Sequence, residues 1–368
     1  MWGDIAIAFV LAFFTSFVTV PYTIKLAKKV GAIDKPNNRK INKKPIPRIG
    51  GIAILVGFIV SSVYLIIAMT IEKKIILNDI DNYKMKLLGF LLGIMTVEVF
   101  AYLDDIKDLS PIIKLLAQII SALFVYFFGI RIDVINGVTL QPFISFALTI
   151  GWIVGITNAI NLIDGLDGLS SGIGLISCFS LLIIFATNYS PLISIILITA
   201  LAGAILGFMP FNLYPAKTFM GDVGAQFIGY SLSVIAIIGV AKTVTLFVFI
   251  APVLVLGLPI FDTLFAICRR IIKGKSFKAV FEADKGHLHH RLMKQGFTQK
   301  QSVFILYALS VTLGMLAIII IEDGIWKAAS FLLLLMAIVA IGYSEITKFK
   351  AELIKENKEL GLVEKDNK

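Results

Sequence analysis

The chain has 368 residues, 58% of them apolar and only 16% charged, with a net charge of +10 and a mean hydropathy of +0.92. This balance excludes a soluble globular domain and describes a protein that lives in a bilayer. Two cysteines, Cys178 and Cys268, exclude a disulfide framework, and basic residues scattered over many loops, rather than along one aromatic-rich face, exclude a nucleic-acid module.

A helix needs about 20 apolar residues to cross roughly 30 Å of hydrocarbon. Eleven runs approach that length: 4–24, 49–71, 85–103, 112–130, 143–161, 169–187, 190–210, 224–241, 244–267, 301–321 and 325–343. They are too long and continuous for barrel strands, which alternate over about ten residues, so an all-α, polytopic integral membrane bundle is expected. The opening MWGDIAIAF lacks a basic leader and a cleavage site, so the first run is expected to stay as an anchor with its N-terminus outside. Eleven crossings then leave the C-terminus in the cytoplasm. On that assignment 27 of the 34 Lys and Arg residues fall in inner segments, the asymmetry that orients membrane proteins. With no repeat or linker in view, residues 1–343 are expected to form one transmembrane catalytic domain and 344–368 a charged cytoplasmic tail.

Ionisable residues at membrane depth are costly and mark function by default, and here they gather on the expected inner side. First in chain order is DKPNNRKINKKPIPRIGG at 34–51, then DDIKDLSPIIK at 104–114. Alone, Asp104 and Asp105 would read as an N-cap for the next helix or as ordinary loop acids. With Lys107 and Lys114 close by they suit a Mg2+ or phosphate site, because Mg2+ takes one or two carboxylates and completes its shell with water and phosphate oxygens.

The segment NAINLIDGLDGLSSG at 158–172 spaces Asn158, Asn161, Asp164 and Asp167 three apart, so a helix would gather them towards one side. Gly165 and Gly168 each lower helix propensity by about 1 kcal/mol, which marks a broken helix end. Asparagines there could satisfy freed backbone groups, while the spaced acids look more like ligands for a phosphorylated substrate. In FMGDVG, 219–224, Asp222 serves either as a helix N-cap or, beside so many other acids, as the best single metal ligand; Phe219 offers a face on which a base can stack. All three histidines stand in HLHH, 287–290, after Arg269, Arg270 and Lys285. These side chains bind phosphate and sugar oxygens, and their spacing is not that of a HExxH zinc helix.

Acids, amides, Lys, Arg and His in this mixture describe a site where Mg2+ meets a phosphoanhydride and where positioning and charge neutralisation dominate. No Walker A, GxSxG or dinucleotide fingerprint supports ATPase, esterase or NAD chemistry. A site at the membrane face implies one water-soluble substrate and one lipid. The rival class is an ion-coupled transporter, which predicts midplane acids and inverted repeats, neither of which is evident. A CDP-alcohol phosphotransferase expects DG followed by AR, whereas DGLDG here runs into LSSG.

Together, KPIPRIGG, DDIKDLSPIIKLLAQ, NAINLIDGLDGLSSG, FNLYPAKTFMGDVGAQFIG and FEADKGHLHHRL resemble, in order and spacing over about residues 34–292, the polyprenyl-phosphate N-acetylhexosamine-1-phosphate transferase family. The resemblance implies Mg2+-dependent transfer, with Mn2+ as the alternative ion, of a sugar 1-phosphate from a UDP-sugar to undecaprenyl phosphate. The reaction would run at the cytoplasmic face of the cell membrane and release UMP. It implies Asp222 as the metal ligand and Asp104, Asp105 and Lys114 at the lipid phosphate. Asn161, Asp164 and Asp167 would line the nucleotide and pyrophosphate pocket, with Asn212 and Phe219 near the uridine. Arg270, His287, His289 and His290 would belong to a loop closing over the sugar phosphate. PRIGG and HLHH look like the GlcNAc-1-phosphate branch, whereas the phospho-MurNAc-pentapeptide branch has TMGG and consecutive histidines, so UDP-GlcNAc is the expected donor. The partners are thus UDP-sugar, undecaprenyl phosphate and the bilayer, with no nucleic acid and a homodimer left open.

Overall fold

The computed structural model describes residues 2–36, 44–72, 82–135, 137–188, 190–240, 246–274 and 286–336. The chain runs through α1 (Trp2–Val30), a short antiparallel hairpin of β1 (Ile33–Asp34) and β2 (Ile46–Pro47), α2 (Gly51–Ile71), α3 (Tyr83–Lys107) and α4 (Pro111–Phe127). A second hairpin, β3 (Val134–Ile135) and β4 (Val138–Thr139), precedes α5 (Pro142–Ile163), α6 (Leu169–Thr187), α7 (Leu192–Asn212) and α8 (Gly221–Val240). Then come α9 (Leu246–Val255), α10 (Gly257–Gly274), α11 (Leu288–Lys294), α12 (Gln299–Asp323) and α13 (Ile325–Met336). Two compact units divide the chain, 1–318 and 319–368, and the site described below belongs to the first.

Among the described residues, eight helices are long and apolar enough to cross a bilayer: α1, α2, α3, α5, α6, α7, α8 and α12. The other three expected runs differ. Residues 112–130 form the 17-residue α4, and only 325–336 of the last run are described as helix. Within the run at 244–267, the described residues from 246 form not one continuous helix but α9 and α10, interrupted at Leu256. Pro259 has no N–H to give the Val255 carbonyl, and its ring crowds that oxygen; Ser177 of α6 supplies a long hydroxyl bond to it instead, at 3.5 Å.

A helix apolar on every side must be enclosed either by protein or by lipid. Burial decides between them: 94% of the most apolar stretch of α8 is buried, against 28% for α1. Thus α8 is the central post of the first unit, packed by α2, α3, α5, α6 and α7. Rings of Phe58, Phe90, Phe227 and Tyr230 tie α2 and α3 to it, with centroids 5.3 to 6.1 Å apart in edge-on and stacked pairs. Small residues join α1 to α7, since lipid gives no hydrophobic drive between helices and close packing must replace it. Ala8, Ala12 and Ser16 are fully buried, and a Cβ on Gly207 would overlap the Phe13 carbonyl. Gly207→Leu is therefore expected to destabilise the protein by about 1 to 3 kcal/mol, read as a lower melting temperature in detergent; an unchanged melt would contradict this packing.

Candidate active site

The site begins with backbone pairing. Phe219 N donates to Pro47 O at 2.8 Å, Gly50 N to Phe219 O at 3.0 Å and Gly51 N to Met220 O at 2.9 Å, so the end of the first hairpin is zipped to the residues just before α8. A Cβ on Gly51 would overlap Gly224, and one on Gly221, whose φ is +70°, would overlap the Asp105 carboxylate. Only glycine lets α2, α8 and the acid approach this closely. The pairing delivers Arg48 to the end of α3.

Asp104 and Asp105 occupy the last turn of α3 rather than capping the next helix, and are only 4% and 5% exposed. Asp105 Oδ1 accepts the Asp222 amide at 3.1 Å and Oδ2 the Val223 amide at 3.2 Å, while Arg48 lies 3.3 Å from Oδ1. The two amides are first-turn donors of α8 that no helical carbonyl can satisfy. Asp104 accepts Leu109 N at 2.7 Å and Lys114 Nζ at 2.8 Å. Lys114 also reaches Asp222 Oδ2 at 3.0 Å, to which Asn161 and Gln226 donate at 3.5 and 3.2 Å.

Beside this cluster lies a cavity of about 300 Å³ lined by Asn161, Asp164, Asp167, Asn212, Phe219, Asp222 and His290, together with Asp34, Arg48 and Gln299. Burial, then the charges of Asp222 and Asp105, push the Asp164 carboxyl up to about 8. Asp167 accepts the Ala216 amide at 3.0 Å. Asn212 takes the Ser171 hydroxyl on its oxygen at 2.8 Å and donates to Thr218 O at 3.2 Å, so its amide braces the wall. Tyr307 of α12 donates to the Gly168 carbonyl and secures the turn between α5 and α6.

The histidines part company. His287 is 5% exposed and bonds through Nδ1 to Asp262 Oδ2 at 2.8 Å, while Leu288 N donates to Asp262 Oδ1 at 2.8 Å; it holds the start of α11 rather than lining the cavity. His289 rests on Gly165, where a Cβ would overlap its ring. Burial, then the neighbouring His290 and His287, lower its pKa to about 3, so it stays neutral. His290 alone of the three lines the cavity. Arg270 is on α10 and is not among the lining residues, and residues 275–285 of its loop lie outside the described ones.

Arg48, Asp34, Gln118, Gln226, Asp262 and Gln299 were not singled out by sequence reasoning. Asp262 was findable as the only acid in an apolar run, and Gln226 by its i+4 spacing from Asp222. Gln299 carries no local signal.

Acids, amides and cations converging on one cavity in a polytopic helical bundle define the class, a multi-pass membrane enzyme. The glycosyl transferase family 4 profile matches residues 87–240. The chain is 34% identical over 368 residues to a probable undecaprenyl-phosphate N-acetylglucosaminyl 1-phosphate transferase of Bacillus subtilis, covering 96% of this chain and 98% of that one. An undecaprenyl-phosphate alpha-N-acetylglucosaminyl 1-phosphate transferase of Thermotoga maritima is 30% identical over 84% of this chain and 88% of its own. A phospho-N-acetylmuramoyl-pentapeptide-transferase of Halalkalibacterium halodurans is 31% identical over 85% and 94%. The chain belongs to the polyprenyl-phosphate N-acetylhexosamine-1-phosphate transferase family.

Asp164 gives a pH test. Its folded value near 8 lies above the unfolded value of about 4, so its contribution to stability is full below pH 4 and lost as pH rises through 8. Asp164→Asn removes that loss. In cation-free protein its melting temperature relative to wild type is expected to rise by about 2 °C or more between pH 5 and pH 8.5; a constant difference would contradict the assignment.

Proposed function

We propose that this chain transfers GlcNAc 1-phosphate from UDP-GlcNAc to undecaprenyl phosphate at the cytoplasmic face of the cell membrane, releasing UMP and starting a cell-envelope polysaccharide. One observation carries the reading: Asp104, Asp105, Asp222, Arg48 and Lys114 form a single bonded cluster beside a cavity that also holds Asp164 and His290. The Bacillus and Thermotoga relatives, by name, act on undecaprenyl phosphate with the same sugar phosphate.

Mg2+ is the cofactor this reading implies, and the donor set fits it. Among the described residues no three of His, Cys, Asp and Glu make a ready cage, whereas Mg2+ asks only one or two carboxylates alongside water and phosphate oxygens. Asp164, whose carboxylate has no hydrogen bond among the described residues, lines the cavity with Asp222, and these two would hold the ion. Bound there, it would neutralise charge on the diphosphate.

The remaining work falls to the chain itself. Two polyanions must meet, and Lys114 and Arg48 bring the positive charge that lowers their repulsion. A phosphate monoester has its second pKa near 6, so the acceptor is largely ionised at neutral pH and no strong base is needed. Asp105, taken up by Arg48 and two amides, and Asp104, taken up by Leu109 and Lys114, hold the site in shape and leave Asp104 to receive any residual proton. A lipid-phosphate oxygen bonds to the sugar-bearing phosphorus as the bond from that phosphorus to the bridging oxygen breaks, and UMP leaves with the electron pair. Asn161, Asp167 and Asn212 line the nucleotide end, Phe219 stacks the uracil, and His290 meets the sugar phosphate.

Membranes supplied in turn with UDP-GlcNAc, UDP-GalNAc and UDP-MurNAc-pentapeptide test this. UMP release is expected with UDP-GlcNAc and only with Mg2+ or Mn2+, falling about 100-fold or more in Asp222→Asn. Preference for UDP-MurNAc-pentapeptide would move the protein to the peptidoglycan branch, and undiminished turnover in Asp222→Asn would refute the metal assignment. Labelled sugar phosphate retained covalently without lipid acceptor would replace direct attack by a two-step route.

A further inference from the structure

Directly behind Asp222, inside the bundle, three amides from three helices form one chain. Asn158 of α5 donates to Val154 O at 2.9 Å and, with its second N–H, to Gln118 Oε1 on α4. Gln118 Nε2 donates back to Asn158 Oδ1 at 3.4 Å and on to Gln226 Oε1 of α8 at 3.1 Å. Gln226 Nε2 ends the chain on Asp222 Oδ2 at 3.2 Å.

The chain can run only one way. A backbone carbonyl at one end and a carboxylate at the other are both acceptors, so a flipped Gln226 would set its oxygen against Asp222 and its NH2 against that of Gln118. Among the described residues, the donors that Gln226, Lys114 and Asn161 offer Asp222 all fall on Oδ2 and none of these falls on Oδ1, while the Asp104 carboxyl stands within hydrogen-bond reach of the Asp222 carboxylate. Gln118 and Gln226 are 1% and 3% exposed, and neither lines the cavity.

We propose that Gln118, through Gln226, is a positioning residue that pins Asp222 by one oxygen and presents the other to a divalent cation. Buried amides at membrane depth are expensive unless fully paired, and satisfied networks of this kind fix one geometry. The proposal rests on Asp222 being a metal ligand as read above. Gln118 itself touches neither substrate nor ion.

The test is Mn2+ binding to full-length protein in detergent, followed by paramagnetic resonance without substrate, alongside steady-state turnover. Gln118→Met keeps length and apolar packing while removing donor and acceptor. It is expected to weaken Mn2+ binding about tenfold and raise the cation concentration for half-maximal turnover in step, with KM for the UDP-sugar at saturating cation within twofold of wild type. Asn158→Ala, one link further from Asp222, should move the same quantities the same way by a smaller factor, and guards against misfolding of the first variant. Wild-type Mn2+ affinity in both folded variants overturns the proposal. Equal Mn2+ binding by wild type and Asp222→Asn is a different outcome, which removes the metal reading itself.

Discussion

Everything at the site hangs on the carboxylate of Asp105. It sits in the last turn of α3, with almost no access to solvent, yet it is held by the first two free amides of α8 and by Arg48. A buried carboxylate without partners would be very unfavourable, and here the helix dipole of α8 and a guanidinium share its charge. One side chain thereby joins the C-terminus of one helix, the N-terminus of the most deeply buried helix and the hairpin before α2. Asp222, whose own amide is one of the two, takes its place from this bond.

The consequence is a rigid floor with a charged rim. Lys114 links Asp104 to Asp222, the amide chain supports Asp222 from below, and Tyr307 and the cluster of Ile163, Leu166, Leu169, Leu258 and Leu306 fix the turn carrying Asp164 and Asp167. That turn is where α5 gives way to α6, and Gly168 opens it with φ at +77°. Phosphoryl transfer asks little covalent chemistry of a protein and much placement of charge, and most of the buried polar investment here goes into placement.

Much of this was legible in the chain. Apolar runs located helices because length and hydropathy alone decide whether a segment suits lipid, and the acid-bearing motifs marked the site because ionisable groups are rare in such runs. Three things were not legible. Pro259 splits the run at 244–267, where hydropathy counts composition but not carbonyl partners. His287 looks like its neighbours in HLHH, but a distant acid, Asp262, turns it into a brace. Arg48 and Gln118 lie inside recognisable motifs without a visible role, because their roles come from pairing between distant segments of the chain, Pro47 with Phe219 and Gln118 with Gln226, which no local pattern encodes.

The proposed transfer needs one placement of charge: a divalent ion that the cavity carboxylates would hold between two polyanions. Anomalous scattering from crystals grown with Mn2+ and UDP-GlcNAc addresses it directly. A single peak bonded to Asp222 and to a diphosphate oxygen is predicted. A nucleotide bound in the cavity with manganese elsewhere, or with none, would contradict it.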